Sequence, residues 1–565
     1  MKATIEQALT HFDSQYMGES SKQLLKALGY SSDRQMPDLR LQPHDFAAQF
    51  GSQYVMREDR ALTHEWQSVD FLFQLTGDEV RQGAQPGLRF GGDGYDPAVF
   101  QSYLFFAIRL SGDGYSRSRL SNITREINRV FPIPAMVLFS YGQQLSIAVI
   151  HRRPHKREAD KDVLEKVTLI KDIQLAKPHR AHVEILHDLS LTVLAAGREI
   201  KNFFDLHEAW QQVLNVSELN KNFFKQLSNW YFWAVQRCTF PPEAGDDETR
   251  NPTSVIRLIT RLIFVWFMKE KGLVPEDIFT EAQVKALLKD LSPQASTYYK
   301  AILQNLFFAT LNQEMGADKR SFRKDSSVNL SQHYGVGNHF RYEDLFHDPQ
   351  AALGYFTNVP FLNGGLFDCL DREREEGEPA PAGCEPKIRR VDGFSDRTQN
   401  PLHVPNEPFF GTERSIDLND IYGTSNKRYQ VGGLLDLLNR YKFTIEENTP
   451  LDQEIALDPE LLGRVFENLL AQYNPETGVS ARKQTGSFYT PREIVNFMVD
   501  ESLLAYLNDR LEEAFPAPKP SAGFTPGSTQ PVMFGSSQTS LPLAAAAAGG
   551  EDETPAQGRF EARLR

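Results

Sequence analysis

Phe131–Ile150 reads FPIPAMVLFSYGQQLSIAVI. Two apolar, β-branched runs flank a Tyr-Gly turn, the pattern of a β-hairpin. Two further runs follow, KVTLIKDI at Lys166–Ile173 and HVEILHDL at His182–Leu189, and both read as strands. GDGY occurs at Gly92–Tyr95 and again at Gly112–Tyr115. Each copy reads as a turn, and two short copies do not make a repeat protein. Residues 1–195 are therefore expected to form an α+β domain.

Downstream the apolar period changes to that of helices. LHEAWQQVLNV, ELNKNFFKQLSNWYFWAVQRC, the Val255–Met268 run VIRLITRLIFVWFM and TYYKAILQNLFFATLNQ all carry apolar residues at helical spacing. Trp230, Trp233 and Trp266 sit among apolar neighbours and read as core. Val255–Met268 is too short to cross a bilayer and carries Arg257 and Arg261, so it reads as a buried helix. Asp371–Asp392 is charged, contains Pro and Gly, and reads as a mobile loop. At Asp458 a new helix is expected, with Pro459 in its first turn. Leu461, Leu462, Val465, Phe466, Leu469 and Leu470 form its apolar face, and it should end near Asn474-Pro475. Residues 196–480 are expected to be mainly helical. From Pro516 the chain turns Pro/Ala-rich, and residues 513–565 read as a disordered tail.

Composition bounds function weakly. The chain has 565 residues and a formal charge of −13, so any nucleic-acid contact must come from local patches. Cys238, Cys369 and Cys384 form no Cys-x-x-Cys pair, which argues against a zinc site or a disulfide framework and suits the cytosol. MKATIEQALTHF has no basic region leading into an apolar run, so neither a signal peptide nor a membrane partner is expected.

Ala481–Leu507, ARKQTGSFYTPREIVNFMVDESLLAYL, carries the most chemistry. Thr490 and Glu493 form a capping box, with Pro491 at the first helical position. Phe488 and Tyr489 stand just before it. The free amides and positive dipole end of a helix start attract a carboxylate, and the aromatic rings and hydroxyl offer stacking and a hydrogen bond. Capping boxes are common, however, and most only begin helices.

Gly486-Ser487-Phe488-Tyr489-Thr490-Pro491, followed by Ile494-Val495 and Met498-Val499, resembles the tenth motif of N6-adenine DNA methyltransferases. It is similar to the form found in type IIG restriction enzymes and type I modification subunits. HRRPHKREADKDVLEKVTLIKDI, SVIRLITRLIFVWFMKEKGLVP, VPFLNGGLFD and IALDPELLGRVFENLLAQYNPETG also resemble the type IIG group, so the likeness runs from about Gly94 to Tyr506. It implies that residues 481–512 open a Rossmann-like methyltransferase domain. It also implies that Phe488, Tyr489, Thr490 and Pro491 border the methionine part of S-adenosylmethionine, and that double-stranded DNA is the partner. The fold expected overall is mixed: an α+β domain, a largely helical region, then the first helix of an incomplete methyltransferase domain.

The departures bear on activity. The family has an Asp-Pro-Ala-x-Gly-Ser-Gly loop for the cofactor and an Asn/Asp-Pro-Pro-aromatic tetrad for a flipped adenine. Neither occurs here; Asn474-Pro475-Glu476 and Asn251-Pro252-Thr253 lack the second proline and the aromatic ring. The resemblance therefore implies only part of a cofactor site, no catalytic residue, and a chain that stops short of a downstream methyltransferase and recognition segment.

Other constellations are thinner. A nuclease of this group needs Asp and Glu-x-Lys around Mg²⁺. Glu199-Ile200-Lys201 after Asp188 reads rather as surface charge at a helix start, and Glu385-Pro386-Lys387 lies in the charged loop. Asp160, Asp162, Glu165 and Lys166 lack the spacing. No metal site is expected, and Mg²⁺ enters only with a nuclease site. Arg152, Arg153, Lys156 and Arg157 form the best local basic patch for DNA phosphates; a solvated loop between strands explains them as well. Asn363-Gly364-Gly365 reads as a tight turn. The alternative function is a non-catalytic DNA- or partner-binding module, or the nuclease-bearing part of a type IIG enzyme.

Overall fold

The computed structural model describes residues 1–35, 40–41, 45–46, 54–77, 79–80, 102–131, 133–150, 153–154, 162–163, 166–316, 319–322, 339–362, 364–397, 400–446, 448, 452–457, 459, 463 and 492–514. The chain divides into two units, Met1–Tyr489 and Thr490–Arg565.

The first unit opens with helices α1 (Lys2–Thr10) and α2 (Met17–Ala27), then builds a mixed sheet. Its strands are β1 (Arg40–Leu41), β2 (Trp66–Thr76), β3 (Ser102–Leu110), β4 (Ala135–Tyr141) and β5 (Gln144–Ile150). A separate short ribbon, β6 (Arg153–Pro154) with β7 (Asp162–Val163), leads to β8 (Val167–Gln174). The seven-stranded order is β1-β2-β3-β4-β5-β8-β13, where β13 is Asp452–Glu454. β3 pairs in parallel with β4, and β8 with β13; the other pairings are antiparallel. The link between β3 and β4 is helix α3 (Arg117–Val130), as a parallel connection requires.

The expected hairpin is present. Tyr141 pairs with Gln144 across a two-residue turn in which Gly142 has φ +51, a conformation that favours glycine. Successive residues of β3 face opposite ways. Phe105 joins Tyr30, Phe73 and Trp210 on one face; Phe106 joins Phe46, Ile127 and Phe131 on the other. Helices thus cover both faces.

HVEILHDL is a correction. It lies in helix α4 (Arg180–Asp188), not in a strand. The His179 ring accepts the Ala181 N–H at 3.1 Å and caps it, while His182, Val183, Ile185 and Leu186 turn inward. A run this short satisfies both periods, and the cap decides. Helices α5 (Leu191–Gly197) and α6 (Phe203–Val213) continue the layer.

A second core is built around α7 (Val216–Val235), α8 (Arg250–Glu270) and a π-helix at Tyr298–Leu311. Trp230, Trp233 and Trp266 are buried in it, as the sequence suggested. In the π-helix every residue but Lys300 is buried, which explains why its sequence is apolar all round. Among the described residues no helix is long and apolar enough to cross a membrane. Further short elements are α9 (Glu281–Leu287), α10 (Pro349–Thr357) and α11 (Leu434–Asn439), with two ribbons. One ribbon pairs β9 (Arg372–Glu373) with β10 (Ile388–Arg389), and the other pairs β11 (Arg414–Ile416) with β12 (Tyr429–Val431).

The expected loop at Asp371–Asp392 is closed at its ends by the β9–β10 ribbon, and it is tied at its base. Asp371 accepts backbone N–H bonds from Val391, Asp392, Gly393 and Phe394 at 2.7–3.1 Å. Arg374 pairs with Glu243 in a nearly solvent-free contact. Buried charge pins the ends of the stretch, while most residues from Glu373 to Lys387 stay exposed, as composition implied.

The second unit contributes helix α12 (Arg492–Ala514). Its Ile494, Phe497, Met498, Leu503, Leu504 and Leu507 are exposed. The helix expected after Asp458 lies outside the described residues, apart from residues 459 and 463, and so does the tail beyond residue 514.

Candidate functional site

Phe488, Tyr489, Thr490 and Pro491 lie outside the described residues. The described helix begins immediately after them, at Arg492. Of the basic patch, Arg152, Lys156 and Arg157 also lie outside; Arg153 is in β6, its backbone opposite Val163. Asp160 and Glu165 lie outside, Asp162 is in β7, and Lys166 is described as half-buried, with burial lowering its ammonium pKa.

The Glu-x-Lys triplets do not build a metal site. Glu199 bonds Lys201 at 2.8 Å, and the Lys201 backbone N–H donates to Asp205 at 2.9 Å, so the triplet closes the approach to α6. Asp188 pairs with His187 instead. Glu385 is held by Arg390 and Arg397 at 3.4 and 3.0 Å. Among the described residues no group of three or more His, Cys, Asp or Glu side chains could hold a metal ion.

The structure assembles one polar cluster that sequence reading missed. Where β13 joins β8, Glu454 is buried, and its Oε2 accepts from the Thr444 hydroxyl at 3.3 Å. Burial lifts its carboxyl to about 7; Lys171 and Lys442 pull it down, while Asp172 and Glu446 push it up. Asp172 itself has φ +57, a strained setting for a residue with a Cβ. The Tyr141 hydroxyl donates to it at 2.7 Å, its backbone N–H donates to Ser146 at 3.0 Å, and Lys171 pairs with it. Nearby, the Arg117 guanidinium donates to Asn448 at 3.1 Å, Asn448 accepts the Glu454 N–H at 2.8 Å, and Arg125 pairs with Asp452. These contacts pin Asn448, Asp452 and Glu454 to α3 and β8. The hydroxyls of Tyr141, Ser146 and Thr444 and the Lys171 ammonium are all engaged in these contacts, so the cluster's chemistry is positional. Its parts come from segments hundreds of residues apart, which is why no local motif marked it.

A second assembly is a cleft bordered by α7 and the β11–β12 ribbon, lined by Lys225, Trp230, Lys427, Arg428, Tyr429 and Arg440 among others. Lys427-Arg428 in a Ser/Asn turn was the only local signal, and it reads as an ordinary solvated charge pair.

No protein-family model matches the chain, and no solved structure matches it. Among curated proteins it is similar to one described as a "Putative type II restriction enzyme and methyltransferase" from Methanocaldococcus jannaschii. Identity is 24% over 314 residues. The chain has a restriction–modification relative. The matched region is 55% of this chain but only 19% of the relative's length, so the relative carries far more than the shared part.

Proposed function

We propose that this chain serves a restriction–modification system as part of a DNA adenine-N6 methyltransferase of the type IIG kind, working in the cytosol. The observation that carries the reading is Gly486–Pro491 standing directly before helix Arg492–Ala514. The restriction–modification relative supports it.

The residue types fit one side of an S-adenosylmethionine site. Helix-start amides favour the carboxylate of the methionine moiety. Phe488 and Tyr489 offer ring faces, and Thr490 a hydroxyl. S-adenosylmethionine, when bound, supplies the electrophilic methyl group. The adenosine side and the target amino group need donors that these 565 residues do not encode, since they contain neither the glycine loop nor the Pro-Pro-aromatic tetrad. Their role is to bind and orient the methionine end.

The test is transfer of labelled methyl from S-adenosylmethionine to adenine-containing duplex DNA. The chain alone should give none. A mixture with a polypeptide that carries the glycine loop and tetrad should give transfer, and Tyr489→Ala should weaken donor binding in that mixture. Stoichiometric labelling by the chain alone would refute the incomplete-site reading.

A further inference from the structure

The molecule is acidic overall, at −13, so a local surplus of cations stands out. The cleft between α7 and the β11–β12 ribbon has a volume of about 380 Å³. Lys225 rises from α7, and Lys427 and Arg428 from the turn before β12; all three are exposed. The acidic groups of the cleft are already committed. Arg440 bridges Glu413 at 3.0 Å and Asp436 at 2.9 Å, and Arg180 also pairs with Asp436. Lys225, Lys427 and Arg428 form no ion pair among the described residues. Asp417 feels Arg428 only as a weak Coulomb attraction, after the hydrogen bonds from Asn419.

The turn that presents two of these cations is held firmly. Asn419 accepts the Lys427 backbone N–H at 3.2 Å and donates to the Lys427 carbonyl at 3.0 Å. The Thr424 hydroxyl donates to the same Asn419 oxygen at 2.7 Å. Asn426 and Gly423 take the left-handed conformations the tight path requires, at φ +58 and +61. Below the rim, Trp230 and Leu437 are buried, and the Lys427 ammonium stands 5.3 Å from the Tyr429 ring. The backbone is thus fixed while the charged ends stay in water. Cations exposed on a rim, from two separate elements, suit a row of phosphates contacted without base reading. A small phosphate ligand would call for buried donors, and this cleft keeps its free cations outside.

We infer that Lys225, Lys427 and Arg428 form a contact surface for the phosphate backbone of duplex DNA. The choice of DNA over other polyanions rests on the proposed function. The experiment titrates the full chain with a labelled mixed-sequence duplex at several salt concentrations. The variant K225E/K427E/R428E is compared with K26E/K271E/K285E, which makes the same charge change at exposed sites away from the cleft. Losing three phosphate contacts should flatten the dependence of log affinity on log salt by about 2.7. The control variant should change it by less than about 1, and melting curves should show both variants folded. Equal slopes for the two variants would overturn the inference, as would failure of the unaltered chain to bind duplex, or stronger binding to single-stranded RNA of equal length. None of these outcomes depends on methyl transfer, so the methyltransferase reading stands or falls separately by labelling.

Discussion

Glu454 and His179 titrate in opposite senses. An unfolded glutamate loses its proton near pH ~4.3, whereas folded Glu454 keeps it up to about 7, chiefly because burial penalises the charge. Between those values the native state binds the extra proton, so Glu454 makes stability fall as pH rises through that window. The gap corresponds to about 4 kcal/mol once both states are titrated. Glu454→Gln should therefore raise the melting temperature more at pH 8 than at pH 5, and equal shifts would acquit this carboxyl. His179 is pushed down to about 4, mainly by burial. Its neutral form is native, so its contribution is intact above about 6.5 and drains away as pH falls toward 4. His179→Asn keeps a capping acceptor for Ala181 and should flatten the acid side of the stability profile. Arg261 is a third critical residue. It donates to the Leu366 and Asp368 carbonyls at 2.8 and 2.9 Å and to Asp392 at 3.1 Å, and the Arg261–Asp392 pair is nearly out of solvent. Arg261→Leu strands the Asp392 charge and should cost about 3–5 kcal/mol in urea unfolding; adding Asp392→Asn should recover part of it.

Among elements, the π-helix depends on a residue far along the chain. The Asn406 side chain accepts the N–H groups of Thr297 and Tyr298 at 3.3 and 2.9 Å and donates to the Ser292 carbonyl at 2.9 Å. Asn406→Ala orphans buried donors and should lower stability by about 2–3 kcal/mol; a melting temperature equal to that of the unaltered chain would show the cap to be idle. Some elements were legible because their instructions are local. The β4–β5 hairpin needs only two apolar runs and Gly142 at the turn, and α8 needs only its period. Others were not. α4 hides its type until His179 caps it, and β13 is three polar residues, Asp-Gln-Glu, with no strand pattern at all. β13 is defined by partners on α3 and β8 that no window along the chain can contain. The candidate sites divide the same way. Gly486–Pro491 is contiguous and readable, whereas Lys225 meets Lys427 and Arg428 only through the packing of α7 on the β11–β12 ribbon.

For the molecule as a whole, β13 matters most. Residues 452–454 complete a sheet whose other strands all lie before residue 175. Without them the outer edge of β8 offers unpaired backbone groups to any passing strand. A fragment ending at residue 200 should therefore aggregate on expression, and one ending at residue 457 should not; sedimentation of the two would decide. The same feature sets a schedule for synthesis. A ribosome adds roughly 5–20 residues each second, and residues 175–451 separate β8 from its outer neighbour. The first sheet to emerge thus waits on the order of tens of seconds for its last strand, and a cell making this protein must keep that nascent edge from other chains throughout the delay.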